Sequence, residues 1–522
     1  MRTSRRPFAV LAITSLAYCT SGVYAQENST AASREITGFP PCDALIEAGL
    51  GTQVLTATSN EYESRVDSWW FANARVRPWC FVRPQNTMEV SNVVKVLSDA
   101  GSGAGDWHIA VRSGGHSLPS ANSIVNGVTI DLTMMNNSWY SPEQKVASVE
   151  PGAAWKDVYA NLLDTANVTV TGGRDGGVGV GGFLLGGGNS YYSSRNGFGC
   201  DTVVNYEVVL ANGTIVNANA STNPDLWRAL KGGGMNFGIV TRFDIEAMPA
   251  VDFAYGQSVL STNYSDAVVD VIVNFTNNPE EMENDHLIPL YSYNASEGGQ
   301  SIILIGVNTQ GDLNSPAFDG MNSIPALSRT WEHKSLARAA NESQVAGGLL
   351  YTQSTLTLPA NPTAVRRATA LHSSLIRTLT ATLGPENFSA STFLQPLPTQ
   401  IAKAGSRSGG SNVLGLDRIP GNAILWVSGV GVQPDAGDAG LAVARAELKK
   451  LVAELREFAR GQDDVEGMEW TYLNYADADQ DPLGSYGEEN VRFMQEVAER
   501  YDPEGFWQGR VPGGFKVGRV EV

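Results

Sequence analysis

From Gly172 to Gly199, twelve of 28 residues are glycine, and this stretch limits the folds open to the chain more than any other feature. Glycine loses the most backbone freedom on entering a helix or strand, so the stretch should form neither a stable helix nor a long strand. It is expected to be a backbone-shaped site or a flexible loop. A chain of 522 residues also exceeds what one hydrophobic core accommodates, roughly 250 to 300 residues. With 55 glycines it is too glycine-rich to be mostly helical, so two domains of mixed structure are expected.

Periodicity outside the glycine stretch agrees with that reading. Val90, Val94 and Leu97 fall at helical spacing behind Asn86 and Glu89, which are placed as a capping box. Strand-like runs follow at Ile109 to Arg112, Val128 to Leu132 and Val146 to Val149, and Trp155, Tyr159 and Leu162 then mark a helix. Glu207 to Ile215 alternates like a strand around the hairpin signal Asn212-Gly213, and Leu226 to Phe243 carries a second glycine cluster. Between Val251 and Met468, strand-like runs at Ser301 to Gly306 and Ala423 to Ser428 accompany a helical face of Leu448, Leu451, Leu455 and Phe458. A last helix, with Val491, Met494, Val497 and Tyr501 inward, stops at Asp502-Pro503. Strands alternating with helices imply an α+β or α/β unit up to Ala250 and a second α+β unit after it.

Charge and targeting signals bound the surroundings. The 36 basic and 54 acidic residues give a net charge of -18, a surface that repels phosphate backbones and argues against a nucleic-acid partner. Arg2, Arg5 and Arg6 precede an apolar run from Phe8 to Tyr18, and Val23-Tyr24-Ala25 offers small residues for cleavage. Residues 1–25 therefore read as a secretory signal peptide, and no later segment is long and apolar enough to span a bilayer. A secreted, soluble protein, acting as a monomer and not on a membrane, is expected. Ten Asn-x-Ser/Thr sequons, at Asn28, Asn136, Asn167, Asn212, Asn219, Asn263, Asn274, Asn294, Asn341 and Asn387, suit a glycoprotein. Cys19 leaves with the signal. Of the remaining three cysteines, Cys42 and Cys80 are the expected disulfide, closing a loop of about 38 residues worth about 4 kcal/mol, and Cys200 is expected to be a buried free thiol.

The segment Arg112-Ser-Gly-Gly-His-Ser117 follows a short apolar strand, and its small residues let successive N–H groups converge on one point. Such a nest binds a pyrophosphate without lysine. An ordinary tight turn with a surface histidine is the other reading of these six residues. Gly177, Gly179 and Gly182 also satisfy G-x-G-x-x-G, with Asp201 downstream. A nicotinamide-binding turn, however, must open a helix, and Gly186-Gly-Gly188 would interrupt that helix at once.

Three separated segments resemble the berberine bridge enzyme-like group of the vanillyl-alcohol oxidase family, with its PCMH-type FAD-binding domain. They are Ile109 to Ser117; Val178 to Gly188 continuing to Arg195-Asn-Gly197, together with Leu230 to Thr241; and Tyr472-Leu-Asn-Tyr475 followed by Tyr486 to Asn490, Arg492 and Tyr501-Asp-Pro503. The resemblance implies a two-part FAD domain, residues 26–250 (core about 74–250) completed by the C-terminal segment 469–522. Residues 251–468 would be an inserted α+β substrate domain with an antiparallel sheet and helices. It implies FAD attached through His116 and contacted by Arg112, Ser113, Gly114, Gly115, Ser117, Gly177, Gly181, Gly182, Gly238, Ile239, Val240 and Asn490. Some members tie the flavin a second time through a cysteine; Gly182 to Gly186 offers none, so single attachment is expected. Tyr475 would act as base, with Tyr472 as companion candidate, and no metal takes part. The implied activity is a two-electron oxidation of an alcohol, phenol, amine or secondary metabolite, with dioxygen as the second substrate. A flavin dehydrogenase or cyclase reacting poorly with oxygen, or a secreted flavin-binding protein without turnover, are the rivals; the second would not need the tyrosine pair.

Overall fold

Period-two runs become three sheets in the computed structural model, which describes residues 36–100, 105–118, 121–407, 411–462 and 468–522. The signal segment, Cys19 and the Asn28 sequon lie outside the described residues. The first sheet orders its strands Val54–Thr56, Cys80–Val82, Gly127–Asp131 and His108–Arg112, the last three mutually parallel. Cys42, in the helix Pro40–Leu45, is disulfide-bonded to Cys80 of this sheet. Cys200 is free and buried, and burial pushes its thiol well above the usual range.

The second sheet is antiparallel and runs Ser138–Ser141, Val146–Val149, Ile239–Pro249, Val203–Val209, Ile215–Asn219, with Val168–Val170 pairing the end of the long strand. The Asn212-Gly213 turn joins the expected hairpin, with Gly213 at φ 76. On the helix Thr87–Asp99, the Asn86 side chain accepts the Glu89 N–H at 3.0 Å, as expected of a capping box. The returning Glu89 carboxylate takes the N–H of Gln85 (2.9 Å), one residue earlier than the pattern implies. The helix Trp155–Ala166 has no side-chain cap; its first N–H groups, of Trp155 and Lys156, donate to Val178 and Gly176 carbonyls of the glycine stretch.

The third sheet has seven antiparallel strands, ordered Ser328–Lys334, Phe253–Leu260, Gly299–Asn308, Asp285–Asn294, Phe388–Leu397, Ala423–Val432, Leu350–Pro359. Alternation along these strands divides the side chains between two cores. Leu287, Tyr291, Leu304, Leu394 and Trp426 pack with the helices Ser265–Thr276, Pro362–Leu383 and Gly437–Arg460. Ile288, Val307, Leu397 and Leu425 face the other way, into a core shared with Trp155, Phe198, Trp470 and Tyr472. Residues 37–522 accordingly form one compact unit, although the strands of the first two sheets end at Pro249 and those of the third begin at Phe253. The last 50 residues return to the first half: Arg510 accepts the Ile109 N–H, and Asn236 accepts the Val517 N–H. No helix among the described residues is long and apolar enough to cross a membrane.

Candidate functional site: two glycine loops, a histidine and a tyrosine turn

The loop Ser113 to Ser117 leaves the end of the strand His108–Arg112. Arg112 is 2% exposed, and its guanidinium lies over Trp69 (3.7 Å) while donating to Ser68 Oγ (2.8 Å) and the Ser68 carbonyl (3.0 Å). Both its Nη groups are therefore spent beneath the loop, while the buried Nε has no protein partner. The side chain acts as a platform on which Gly115, at φ 75, rests so closely that a Cβ would come within 2.8 Å of the guanidinium. The same burial pulls Arg112 down to about 10, against the pull of Asp131. Among the described residues no protein acceptor takes the N–H groups of Ser113, Gly114, Gly115, His116 or Ser117. Five successive free donors are what an anion cradle requires.

The second glycine loop is pressed against the first. A Cβ on Gly114 would lie 2.7 Å from Gly179 Cα, so only glycine at both positions allows this approach. Ser113 Oγ donates to the Pro151 carbonyl (2.6 Å) and accepts the Gly181 N–H (3.2 Å). The Gly177 N–H goes to Asp175 Oδ1 (2.7 Å). The N–H groups of Gly177 and Gly181 are thus already used within the protein, and these two glycines shape the cradle. Gly182 does face open space. The helix Val180–Leu185 that follows is cut off at Gly186, as the argument against a nicotinamide turn requires.

His116 stands between these loops and an aromatic wall. Its ring stacks on Trp70 (4.7 Å between centroids) and meets Phe71 edge-on (6.1 Å). Trp70 is itself fixed, its N–H donating to the Gly115 carbonyl and its indole N–H to the Val345 carbonyl. His116 Nε2 is shut off from solvent without a hydrogen-bond partner. Burial lowers the ring's proton affinity, opposed by the Asp175 carboxylate, and keeps the imidazole neutral at neutral pH. A neutral imidazole with an unspent nitrogen is the form able to bond to carbon.

The C-terminal turn brings in the tyrosines. Tyr472 to Tyr475 forms a short 3-10 turn rather than strand. The Tyr472 hydroxyl is buried and accepts the N–H groups of Gly188 (2.9 Å) and Asn189 (2.8 Å), and burial pushes it well up. It fastens the turn to the glycine loop, so the geometry gives it a structural role in place of the expected catalytic one. Asn474 lies so close to Gly186 that a Cβ there would overlap its side-chain oxygen. Tyr475, perpendicular to Tyr472 at 4.8 Å, keeps its hydroxyl for Arg174, whose Nη2 donates to it at 2.8 Å. Arg174 Nη1 lies 3.1 Å from His286 Nε2 of the seven-stranded sheet.

Three residues of the second cluster and one of the C-terminal segment lie outside the two loops. Gly238, Ile239 and Val240 open the long strand of the second sheet, and the side chains of Ile239 and Val240 are buried in core, leaving only backbone to offer. The Asn490 amide is spent on Arg228 (2.8 Å) and on the Tyr486 carbonyl (3.1 Å), and none of its hydrogen bonds reaches either loop. Trp70, Arg174, Asp175 and His286 were missed by sequence reasoning. Arg174-Asp175 is the one charged pair inside a run of glycines, which was a usable signal; His286 carried none.

A loop of free backbone donors, a second glycine loop pressed against it, an unspent histidine nitrogen and a nearby tyrosine turn fit one class: an FAD-dependent oxidoreductase. Residues 78–219 match the family model described as an FAD binding domain. The chain is 32% identical over 485 residues to the FAD-dependent monooxygenase drtC of Aspergillus calidoustus, covering 92% of this chain and 91% of that protein. It is 30% identical to an FAD-linked oxidoreductase of Arthroderma benhamiae, covering 94% and 97%. Among solved structures it superposes on a wild-type BBE-like protein of Physcomitrella patens with a TM-score of 0.70 and 18% identity, covering 89% and 97%. The chain belongs to the family of these FAD-dependent monooxygenases and FAD-linked oxidoreductases and shares the fold of the BBE-like protein, and FAD is its cofactor.

Proposed function

We propose that this protein is a secreted oxidase that carries FAD bonded once, through His116, and oxidises a small organic substrate held against the seven-stranded sheet. Bound FAD would supply the two-electron oxidation, taking a hydride from the substrate, with dioxygen as the final acceptor and hydrogen peroxide as product. The observation that carries the reading is the juxtaposition of five unpaired N–H groups with a neutral His116 whose Nε2 is unpaired. Backbone from Ser113 to Ser117 would hold the pyrophosphate, Gly182 would leave room beside it, and His116 would bond the flavin ring. Residues 26–250 with 469–522 would form the cofactor part, and 251–468 the substrate part.

Tyr475 would take the substrate proton. Its hydroxyl is the one in the turn not consumed by backbone, and the cation that a phenol needs to serve as base is present in Arg174. The sheet face that looks toward this turn is mixed: Gln353 donates to the Tyr475 carbonyl (3.2 Å), and Gln395 accepts from Asn189 (3.3 Å). Ile288 and Phe393 add apolar surface to the same face. Such a face suits an alcohol, phenol, amine or secondary metabolite with one polar end. The names of the relatives favour a second reading, oxygen insertion into the substrate.

A screen of alcohols, phenols and amines for anaerobic flavin bleaching, followed by reaction in air under labelled dioxygen, separates these. Stoichiometric peroxide with no label in the product supports an oxidase. Label in the product establishes a monooxygenase, and bleaching with negligible reoxidation by air establishes a dehydrogenase. Absence of bleaching with every class would favour a flavin-binding protein without turnover. Acid precipitation addresses the bond: colour released into the supernatant would refute attachment at His116.

A further inference from the structure

We propose that Arg174, itself held by His286, is the positioning residue that keeps the Tyr475 oxygen ready to accept the substrate's proton. This rests on the reading of Tyr475 as the base. A guanidinium has donors only, so the 2.8 Å contact makes the Tyr475 oxygen an acceptor from Arg174. The hydrogen of a neutral Tyr475 must then point away from Arg174, and a Tyr475 that has lost it is paired with a cation. The proton step balances with Tyr475 as its phenolate, its own proton already released to solvent: the substrate O–H or N–H bond would break, its proton would join the phenolate oxygen to give neutral tyrosine, and the neighbouring C–H hydrogen would leave with its electron pair to bound flavin.

The other end of Arg174 is fixed with the same logic. The 3.1 Å contact with His286 obliges Nε2 to accept, which puts the ring hydrogen on Nδ1. Burial, reinforced by the Arg174 charge, keeps this imidazole neutral, and Tyr191 packs edge-on against it at 5.5 Å. His286 sits in the strand Asp285–Asn294, paired with Val307 of the neighbouring strand, and is buried, so it is a stable mount for the guanidinium. On the loop side, Gly172 and Gly173 lie against the Trp155 ring, and the Asp175 carboxylate accepts the N–H groups of Gly177 and Val345. The backbone on either side of Arg174 is therefore determined. The titratable groups around Tyr475 are Arg174 on the glycine loop, Tyr472 on its own turn, and, behind Arg174, His286, Tyr191 and Asp175. Arg174 is the cation in contact with its oxygen.

No substrate is needed to test this. The holoenzyme with oxidised flavin is titrated with base while tyrosinate absorbance is followed, for wild type, Tyr475→Phe, Arg174→Gln and Arg174→Lys. The component that Tyr475→Phe removes identifies Tyr475. Loss of an adjacent opposite charge moves such a transition by about one to three pH units, so in Arg174→Gln the component should rise by about that much. Arg174→Lys, which keeps the charge and loses the fork, should fall between and serves alone if the Gln variant does not fold. His286→Gln retains an acceptor for Nη1 and should behave as wild type, whereas His286→Leu should move the component partway toward Arg174→Gln. An unchanged midpoint in both Arg174 variants overturns the proposal and reduces Arg174 to a tie between loop and sheet. Failure of the base reading looks different: Tyr475→Phe would then reduce its flavin at the wild-type rate with any substrate found by bleaching.

Discussion

Replacing Tyr472 with Phe should unfold the site rather than slow its chemistry, and the geometry sets the size of the effect. Tyr472 is 1% exposed, and its oxygen accepts two backbone N–H groups, of Gly188 and Asn189, at 2.9 and 2.8 Å. The third donor, Asn474 Nδ2, keeps a second acceptor in the Phe183 carbonyl at 3.0 Å and so loses less. Phe fills almost the same volume, so no cavity opens, and water has no route to the abandoned donors. Each buried donor left unpaired costs about 1 to 3 kcal/mol, giving about 2 to 6 kcal/mol for the two. That is a large part of the roughly 5 to 15 kcal/mol by which a domain is stable. Thermal unfolding followed by flavin fluorescence and equilibrium denaturation by urea both measure it. Tyr475→Phe is the control: in a half-buried residue it gives up one hydrogen bond, about 0.5 to 1.5 kcal/mol, while slowing flavin reduction about a hundredfold to ten-thousandfold. A Tyr472→Phe protein as stable as wild type but slow in flavin reduction would invert the assignment of the two tyrosines.

Three further outcomes are expected. His116→Ala should bind FAD only reversibly, so that acid releases the colour and the intact mass falls by one FAD relative to wild type; a covalent flavin surviving the change would place the bond elsewhere. Cys42→Ser should lose about 4 kcal/mol of loop constraint, while thiol reagents count no reactive cysteine in native wild type and one, Cys200, after unfolding; rapid native labelling would contradict its burial. Lys516 is buried with its ammonium on the Met235 carbonyl (2.8 Å), and burial brings it down to about 7 from 10.5. Between those values the unfolded chain holds a proton that the folded protein has shed, so this lysine makes stability rise with pH. Lys516→Met should therefore be stabilising below about pH 7, with the advantage fading toward pH 10.5; a gain independent of pH would show that the lysine titrates normally.

How much of this was legible in the sequence depended on whether a residue's role is local. Strand-like runs located some strands of each sheet, such as His108–Arg112, Val146–Val149 and Gly299–Asn308, but not Phe253–Leu260, Asp285–Asn294, Leu350–Pro359 or Phe388–Leu397. They could not tell that strands 253–432 close into one seven-stranded sheet sharing a core with Trp155 and Trp470, since pairing order leaves no trace in periodicity. The capping box was visible at Asn86 because its geometry spans three residues. The Trp155 helix was visible too, but its cap was not, because the acceptors come from Gly176 and Val178 some 20 residues on.

The site divides in the same way. The loop around His116 could be read because free N–H groups depend on small neighbours in the chain, and the family resemblance then gave the histidine a purpose. Gly177 and Gly181 carry the family pattern yet spend their N–H groups on the protein itself, as Asn490 spends its amide, so a motif residue's hydrogen bonds can serve the loop's shape. Conversely, Arg174 acquires meaning only from Tyr475, 301 positions away, and from His286, 112 positions away. Neither separation has a period or a spacing rule. A glycine run that excludes side chains makes the few it admits conspicuous, and Arg174-Asp175 are the two it places between the imidazole and the phenol. On the proposed reading the backbone would hold the cofactor, and the chemistry would fall to the rare side chains that the glycines leave room for.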